Sequence, residues 1–99
     1  MIWHIVRFDM SDLDESTRAS LDADLAALER LDCVEQLHVG PDLAEPHITG
    51  LVSAFANEAA LDAYRVHPDH LPVVERVRSL RIPAVRLDIA ADDATGTPA

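Results

Sequence analysis

From Ile2 to Phe8 the apolar residues occupy both parities of the chain: Ile2, Val6 and Phe8 on one, Trp3 and Ile5 on the other. A period of two predicts a strand, and a strand apolar on both sides is covered on both. His4 falls on the Ile2, Val6, Phe8 face. Past Phe8 the period becomes helical. Leu21, Leu25 and Leu28 recur at i, i+4 and i+7, and Leu31 extends the stripe by a turn. Ser11 or Asp12 is the expected N-cap. Asp14, Arg18 and Asp22 share another face of this helix and read as solvated charge.

The alternation then returns. Cys33 to Val39 predicts a second strand, with Leu37 and Val39 on one face and Gln36 and His38 on the other. Gly40-Pro41-Asp42 is turn chemistry, opening a polar, exposed loop that runs to Pro46 and could also cover a pocket mouth. His47 to Phe55 predicts the third strand. His47, Thr49, Leu51, Ser53 and Phe55 share one face; Ile48, Val52 and Ala54 share the other. Gly50 within it suggests a bulge or a close backbone approach.

Asn57 is a good N-cap and Glu58 a favourable first-turn charge, with Ala60, Leu61 and Tyr64 on one side of the helix that follows. Pro68 disfavours helical geometry at His67, so this helix ends near there. A second helical piece begins between Pro68 and Pro72, with an apolar stripe of Val73, Val77 and Leu80. The chain thus bends inside Tyr64-Arg65-Val66-His67-Pro68-Asp69-His70, and the bend can turn Tyr64 and His70 toward one spot. Pro83 introduces the last strand, Ala84 to Ala90. There Val85, Leu87 and Ile89 face one way, Arg86 and Asp88 the other. From Ala91 to Ala99 the chain is small, acidic and aperiodic, and disorder is expected.

The order strand, helix, strand, strand, helix, strand predicts an α+β, ferredoxin-like βαββαβ fold with a four-stranded antiparallel sheet, over residues 1–90. Two helices cover only one face of such a sheet. The first strand is apolar on both faces, and the third keeps Leu51 and Phe55 on the uncovered one. The same face of another copy would cover it, so a two-fold homodimer is expected.

Composition narrows the function. The 99 residues make one domain, and 48% hydrophobic content suffices for a small core. A formal net charge of −10 and a pI near 4.6 argue against nucleic acid and anionic membranes as partners. The single cysteine, Cys33, forms no internal disulfide and reads as a buried thiol rather than a nucleophile, which fits a cytoplasmic setting. The opening apolar run is too short for a signal core, and nothing approaches the roughly 20 apolar residues of a membrane span. The serines show no nucleophile-elbow pattern and the three glycines no phosphate loop. His67 and His70 are three apart, but Pro68 interrupts the helix and no third ligand is set by spacing, so no metal is expected. Arg76, Arg78 and Arg81 read as solvated.

Several segments resemble the Dabb, or stress-responsive α/β-barrel, family. They are Ile2-x-His4-Ile5-Val6-x-Phe8, Val39-Gly40, Gly50-Leu51-Val52-Ser53-x-Phe55, and Asn57-Glu58-x-Ala60-Leu61-x-x-Tyr64-x-x-His67-Pro68-x-His70. The last is the most specific. The resemblance implies a half-barrel that pairs into a dimeric α+β barrel. In a plant polyketide cyclase of that family, the positions matching Tyr64 and His70 carry a metal-free intramolecular aldol reaction. His4 matches the family's first-strand histidine. Many relatives have a histidine where this chain has Thr49; His47 lies two residues earlier on the same face.

That resemblance implies Tyr64 and His70 as catalytic candidates, with His4, His47, Thr49 and Phe8 as candidates for contacting a small, apolar or aromatic substrate, and no cofactor. The chemistry is coherent. A neutral histidine can take a proton beside a carbonyl at pH 7, and a tyrosine hydroxyl can donate to the oxyanion without carrying charge. Other readings stand beside it. The same residues can simply clamp the helix bend, His67 can cap the next turn, and His4 can be a core histidine satisfied by a neighbour. The protein would then be a non-catalytic stress-responsive or assembly protein with a packed barrel.

Overall fold

A computed structural model describes residues 1–91. Strand β1 (Ile2–Asp9) leads to helix α1 (Glu15–Ala27), which tightens into a 3-10 turn (Leu28–Arg30). Strands β2 (Gln36–Pro41) and β3 (Ile48–Phe55) follow, then helices α2 (Glu58–Arg65) and α3 (Leu71–Ser79), and strand β4 (Ala84–Ala90). The four strands form one antiparallel sheet in the order β2-β3-β1-β4. This is the ferredoxin-like α+β arrangement expected from the hydrophobic pattern.

Local chemistry sets most of the element ends. Asp14 caps α1, its carboxylate accepting the Thr17 N–H at 2.7 Å. The cap is not Ser11 or Asp12, because Ser11 is held in a turn by its N–H donation to Asp9 at 3.0 Å. Asn57 caps α2 as expected, accepting from Ala60 at 2.9 Å. α3 ends in a Schellman motif. Ile82 donates to the Val77 carbonyl at 3.2 Å and Arg81 to the Arg78 carbonyl at 3.0 Å. Arg81 takes the left-handed position usually given to glycine, at φ 55°.

The second strand starts three residues later than its apolar pattern suggested. A turn closed by the Val34 N–H to Leu31 carbonyl bond, 3.0 Å, occupies the stretch around Cys33. The strand also runs through the expected turn, since Gly40 pairs with Gly50 and Pro41 with Thr49. β2 is an edge strand, where a proline without an N–H costs no ladder bond. Asp42 makes the turn instead, its carboxylate accepting from Ala44 at 2.9 Å and Glu45 at 2.8 Å. Gly50 forms no bulge: its register with both neighbours is continuous.

The core lies between the helices and one sheet face, with Val6, Phe8, Leu21, Leu25, Phe55 and Tyr64 at its centre. Leu28 and Leu31 extend the α1 stripe into it as expected. Leu51 and Phe55 also belong to this helix-covered face, which corrects their assignment to the uncovered one. Parity identifies which residues share a face, not which face is covered. The same holds for β4: Arg86 and Asp88 lie across from Val6 and His4 on the helix side. Val85, Leu87 and Ile89 are left on the open face, 66%, 57% and 40% exposed. They stand beside Ile5 and Trp3, their cross-strand partners or neighbours. The open face is therefore apolar, but through different residues than expected.

Among the described residues, no helix is long and apolar enough to cross a membrane. Ala91 donates to the Met1 carbonyl at 3.0 Å, extending the β1–β4 edge by one bond. The rest of the segment expected to be disordered, residues 92–99, lies outside the described residues.

Candidate functional site

The Tyr64–His70 bend is knotted by His67. Its carbonyl accepts from His70 at 2.9 Å and Leu71 at 3.0 Å, and its Nδ1 accepts the Asp69 N–H at 3.0 Å. The His67 N–H closes the end of α2 on the Tyr64 carbonyl at 3.1 Å. With both ends of the imidazole's residue spent on backbone, His67 is the residue that makes the turn. The turn brings the His70 ring onto the Tyr64 ring, centroids 4.1 Å apart and 29° from parallel. Tyr64 is 2% exposed and also packs against Phe55, at 5.0 Å, and His4, at 6.0 Å.

These rings form one end of a half-enclosed cavity of about 230 Å³ between the sheet and α1 and α3. Phe8 and Leu51 line its floor, Leu25, Val73 and Val77 its sides, and Arg86 stands among its wall residues. Larger depressions exist. A groove of about 380 Å³ between α1 and α3 is rimmed by the Asp24–Arg76 ion pair, Arg30 and Asp69. Another of about 420 Å³ lies beside the side-chain-free Gly40–Gly50 pair. Among the described residues, this cavity of about 230 Å³ brings imidazole and phenol groups together over an apolar floor, the combination a small-molecule site needs.

The electrostatics of the cavity favour neutral groups. Burial pushes the His70 imidazole below its ordinary pKa, opposed by its bond to the Arg65 carbonyl and reinforced by nearby His4. The ring nitrogen facing Arg65 is Nδ1, 3.4 Å from that oxygen. Donation there places the proton on Nδ1 and leaves Nε2 with a free lone pair. Burial, aided by the nearby Cys33 thiol, raises the Tyr64 phenol far above its usual range, so it stays protonated.

Asp88 was not among the residues singled out from the pattern. It pairs with His4 across the β1–β4 ladder, and its Oδ1 meets His4 Nδ1. Its Oδ2 accepts from Arg65 at 3.1 Å. Burial alone would raise the Asp88 carboxyl; the His4 bond and then Arg65 outweigh it and hold the group below its usual range. An ionised Asp88 fixes the His4 proton on Nδ1 and leaves its Nε2 open. His4 is thus both a satisfied core histidine and a cavity wall residue. Only an alternation signal on β4 and knowledge of the β1–β4 pairing could have revealed this partnership.

His4, Phe8, Tyr64 and His70 come together at the cavity. His47 and Thr49 do not line it. Thr49 is buried beneath α1, its hydroxyl donating to Asp22 at 3.3 Å, and His47 lies exposed against Arg18. Arg18 and Asp22, read as solvated charge, therefore meet β3 and the loop before it. Cys33 is half-buried against the core. Arg76 and Arg78 are taken up by Asp24 and Glu75. Among the described residues, no three His, Cys, Asp or Glu side chains are grouped to hold a metal ion.

A four-stranded antiparallel sheet with helices on one face and a histidine–tyrosine cavity beneath them defines a ferredoxin-like α+β protein. The chain belongs to the Stress responsive A/B Barrel Domain (Dabb) family, whose profile matches residues 2–91. No curated protein sequence matches it. Its fold is shared by many solved structures, three of which illustrate the likeness. A Dabb family protein from Mesorhizobium loti is 24% identical, covering 93% of this chain and 97% of its own, with a TM-score of 0.73. A dimeric ferredoxin-like protein of unknown function from Thermobifida fusca is 22% identical, covering 91% and 90%, with a TM-score of 0.78. A Deinococcus radiodurans protein, provisionally named an antibiotic biosynthesis monooxygenase, is 15% identical over the full length of both chains, with a TM-score of 0.82.

Proposed function

We propose that this protein binds a small, largely apolar carbonyl compound between its sheet and helices, and that Tyr64 and His70 move a proton beside that carbonyl without a cofactor. This is chemistry of the polyketide-cyclase or isomerase type. The observation that carries the reading is the Tyr64–His70 ring stack at the end of an apolar cavity. His70 Nε2 removes a proton from the carbon next to the carbonyl, and the protonated Tyr64 phenol donates to the oxygen as charge develops on it. The resulting enolate attacks a second carbonyl in a cyclisation, or takes the proton back at another carbon in an isomerisation. His4, held by Asp88, orients the substrate, and Phe8 contributes apolar wall. His47 and Thr49 lie away from this centre and have no part in it.

The working unit in this reading is a homodimer. An exposed band of Val85, Leu87 and Ile89 on the open sheet face is apolar surface that a second copy would cover, and the T. fusca protein of the same fold is described as dimeric.

The direct test is α-proton exchange. Candidate β-diketones and aryl ketones are incubated in deuterated buffer and exchange is followed by NMR. Exchange by wild type that is lost in Tyr64→Phe and His70→Ala supports the reading. A second reading, a non-catalytic stress-responsive or assembly protein, is favoured by the way the same stack ties α2 to α3 across Pro68. It predicts no exchange with any substrate, while His70→Ala is destabilised.

A further inference from the structure

We propose that Arg86 is the anchor for a carboxylate on the cavity's ligand, so that the protein selects small acids with an apolar body over neutral compounds of the same shape. This rests on the cavity reading above and adds the ligand's charge to it.

The first observation is the sign of the cavity. The chain carries 18 acidic residues against 8 Lys and Arg, yet among the described residues none that lines the cavity is acidic. Arg86 is the only Lys or Arg among them. The second observation is that its charge is uncommitted. Arg7, Arg65, Arg76 and Arg78 each pair with a carboxylate, whereas Arg86 forms no ion pair among the described residues. Asp88, two residues along the same strand, is taken up by His4 and Arg65. The third is position. Arg86 pairs with Val6 across the β1–β4 ladder, so its side chain leaves the sheet on the helix side, where the cavity lies.

A guanidinium with free donors matches a carboxylate in two-pronged geometry, and such charge-assisted bonds are the strong ones. The long-range field of a chain with net charge −10 repels anions, so selection has to come from a local contact. At about 230 Å³ the cavity is smaller than the roughly 300–1,000 Å³ of sites for drug-sized ligands. The ligand class that follows is a compact aryl-alkyl or medium-chain carboxylic acid, its body over Phe8, Leu25 and Leu51 and its head at Arg86.

The experiment compares matched acid and amide pairs, 3-phenylpropanoate with 3-phenylpropanamide and octanoate with octanamide, by calorimetry on wild type and Arg86→Gln. Arg86 is exposed, and an unchanged melting temperature checks that the variant folds. The expected result is an acid at least tenfold tighter than its amide on wild type, a preference that disappears in Arg86→Gln while amide affinity stays. Equal binding of acid and amide by wild type overturns the proposal but leaves the cavity reading intact. So does an acid preference that survives Arg86→Gln, which would make Arg86 only a charged guard on an edge strand. If neither member of either pair binds wild type, and Val77→Trp, which fills the cavity, changes nothing, the cavity reading fails and the proposal with it.

Discussion

The imidazole of His70, the residue just before α3, lies on the phenol ring of Tyr64 in α2 with centroids 4.1 Å apart. The contact depends on the proline-broken turn between them. Stacked aromatic pairs contribute about 0.5–1.5 kcal/mol beyond the area they bury. Tyr64→Phe keeps the ring, so its stability should stay within about 0.5 kcal/mol of wild type, while α-proton exchange falls about 10²-fold or more through loss of the donor. Urea denaturation and exchange rates on the same preparations check both halves. A variant that exchanges like wild type would remove Tyr64 from the chemistry.

The depressed pKa of His70 predicts a pH dependence of stability. The folded protein holds this imidazole neutral below the ordinary value of 6.5, whereas the unfolded chain protonates it near that value. The unfolded state therefore binds more protons between the two pKa values, and stability rises with pH across that window. The contribution is complete above about pH 6.5 and is lost as pH falls through the folded pKa. Denaturation of wild type and His70→Gln from about pH 8 to about pH 5 isolates it. The gap between their pH curves should narrow on acidification; parallel curves would refute the assignment. Exchange activity should fall over the same acidic range, as the base becomes protonated.

Asp88 links His4 to Arg65, so removing its carboxylate leaves His4 Nδ1 without its partner, while Arg65 keeps its bond to Asp62 at 2.9 Å. Asp88→Ala should cost about 1–3 kcal/mol, because hydrogen bonds to a charged group are lost and the largely buried His4 donor is left unpaired. Arg65→Gln, which keeps the His4 bond, should cost less. Equal losses in the two variants would mean that the His4 bond adds nothing.

Arg81 occupies the left-handed position that ends α3, at φ 55°. A side chain there carries a steric cost of roughly 1–2 kcal/mol that glycine avoids, offset in part by the extra freedom glycine has when unfolded. Arg81→Gly should therefore stabilise the protein by about 0.5–1 kcal/mol, seen as a raised urea midpoint at unchanged slope. Destabilisation would point to a role for the guanidinium that outweighs backbone strain.

The open sheet face tests the proposed pairing. Leu87 is 57% exposed in the isolated chain and stands opposite Ile5. In a homodimer joined through this face, Leu87→Asp buries a charge and should shift the protein to monomer at micromolar concentration in sedimentation velocity. A wild type that already sediments as a monomer would end the dimer proposal.

Much of the fold was legible in the chain because its signals are local. The period-two runs, the i, i+4, i+7 stripe from Leu21 to Leu28, the Asn57 cap and the break at Pro68 each act within a few residues. Ends were less legible where two local options compete. Ser11 and Asp14 are both good caps, and only the engagement of Ser11 by Asp9 decides between them. The dyad of His4 and Asp88, 84 positions apart, was invisible because it needs the β1–β4 pairing.

By itself, the sequence determined the order and type of the elements, the sharing of faces along each strand, and the bend that carries Tyr64 and His70. Periodicity and capping are properties of neighbouring residues, so a linear reading captures them. Only the tertiary structure decided that the Leu51–Phe55 face is the covered one, that Thr49 and His47 lie away from the cavity, that Asp88 holds His4 and that Arg86 lines the cavity. Those outcomes depend on which strands pair and on which side the helices pack, choices set by the burial energy of the whole chain and by no single stretch of it.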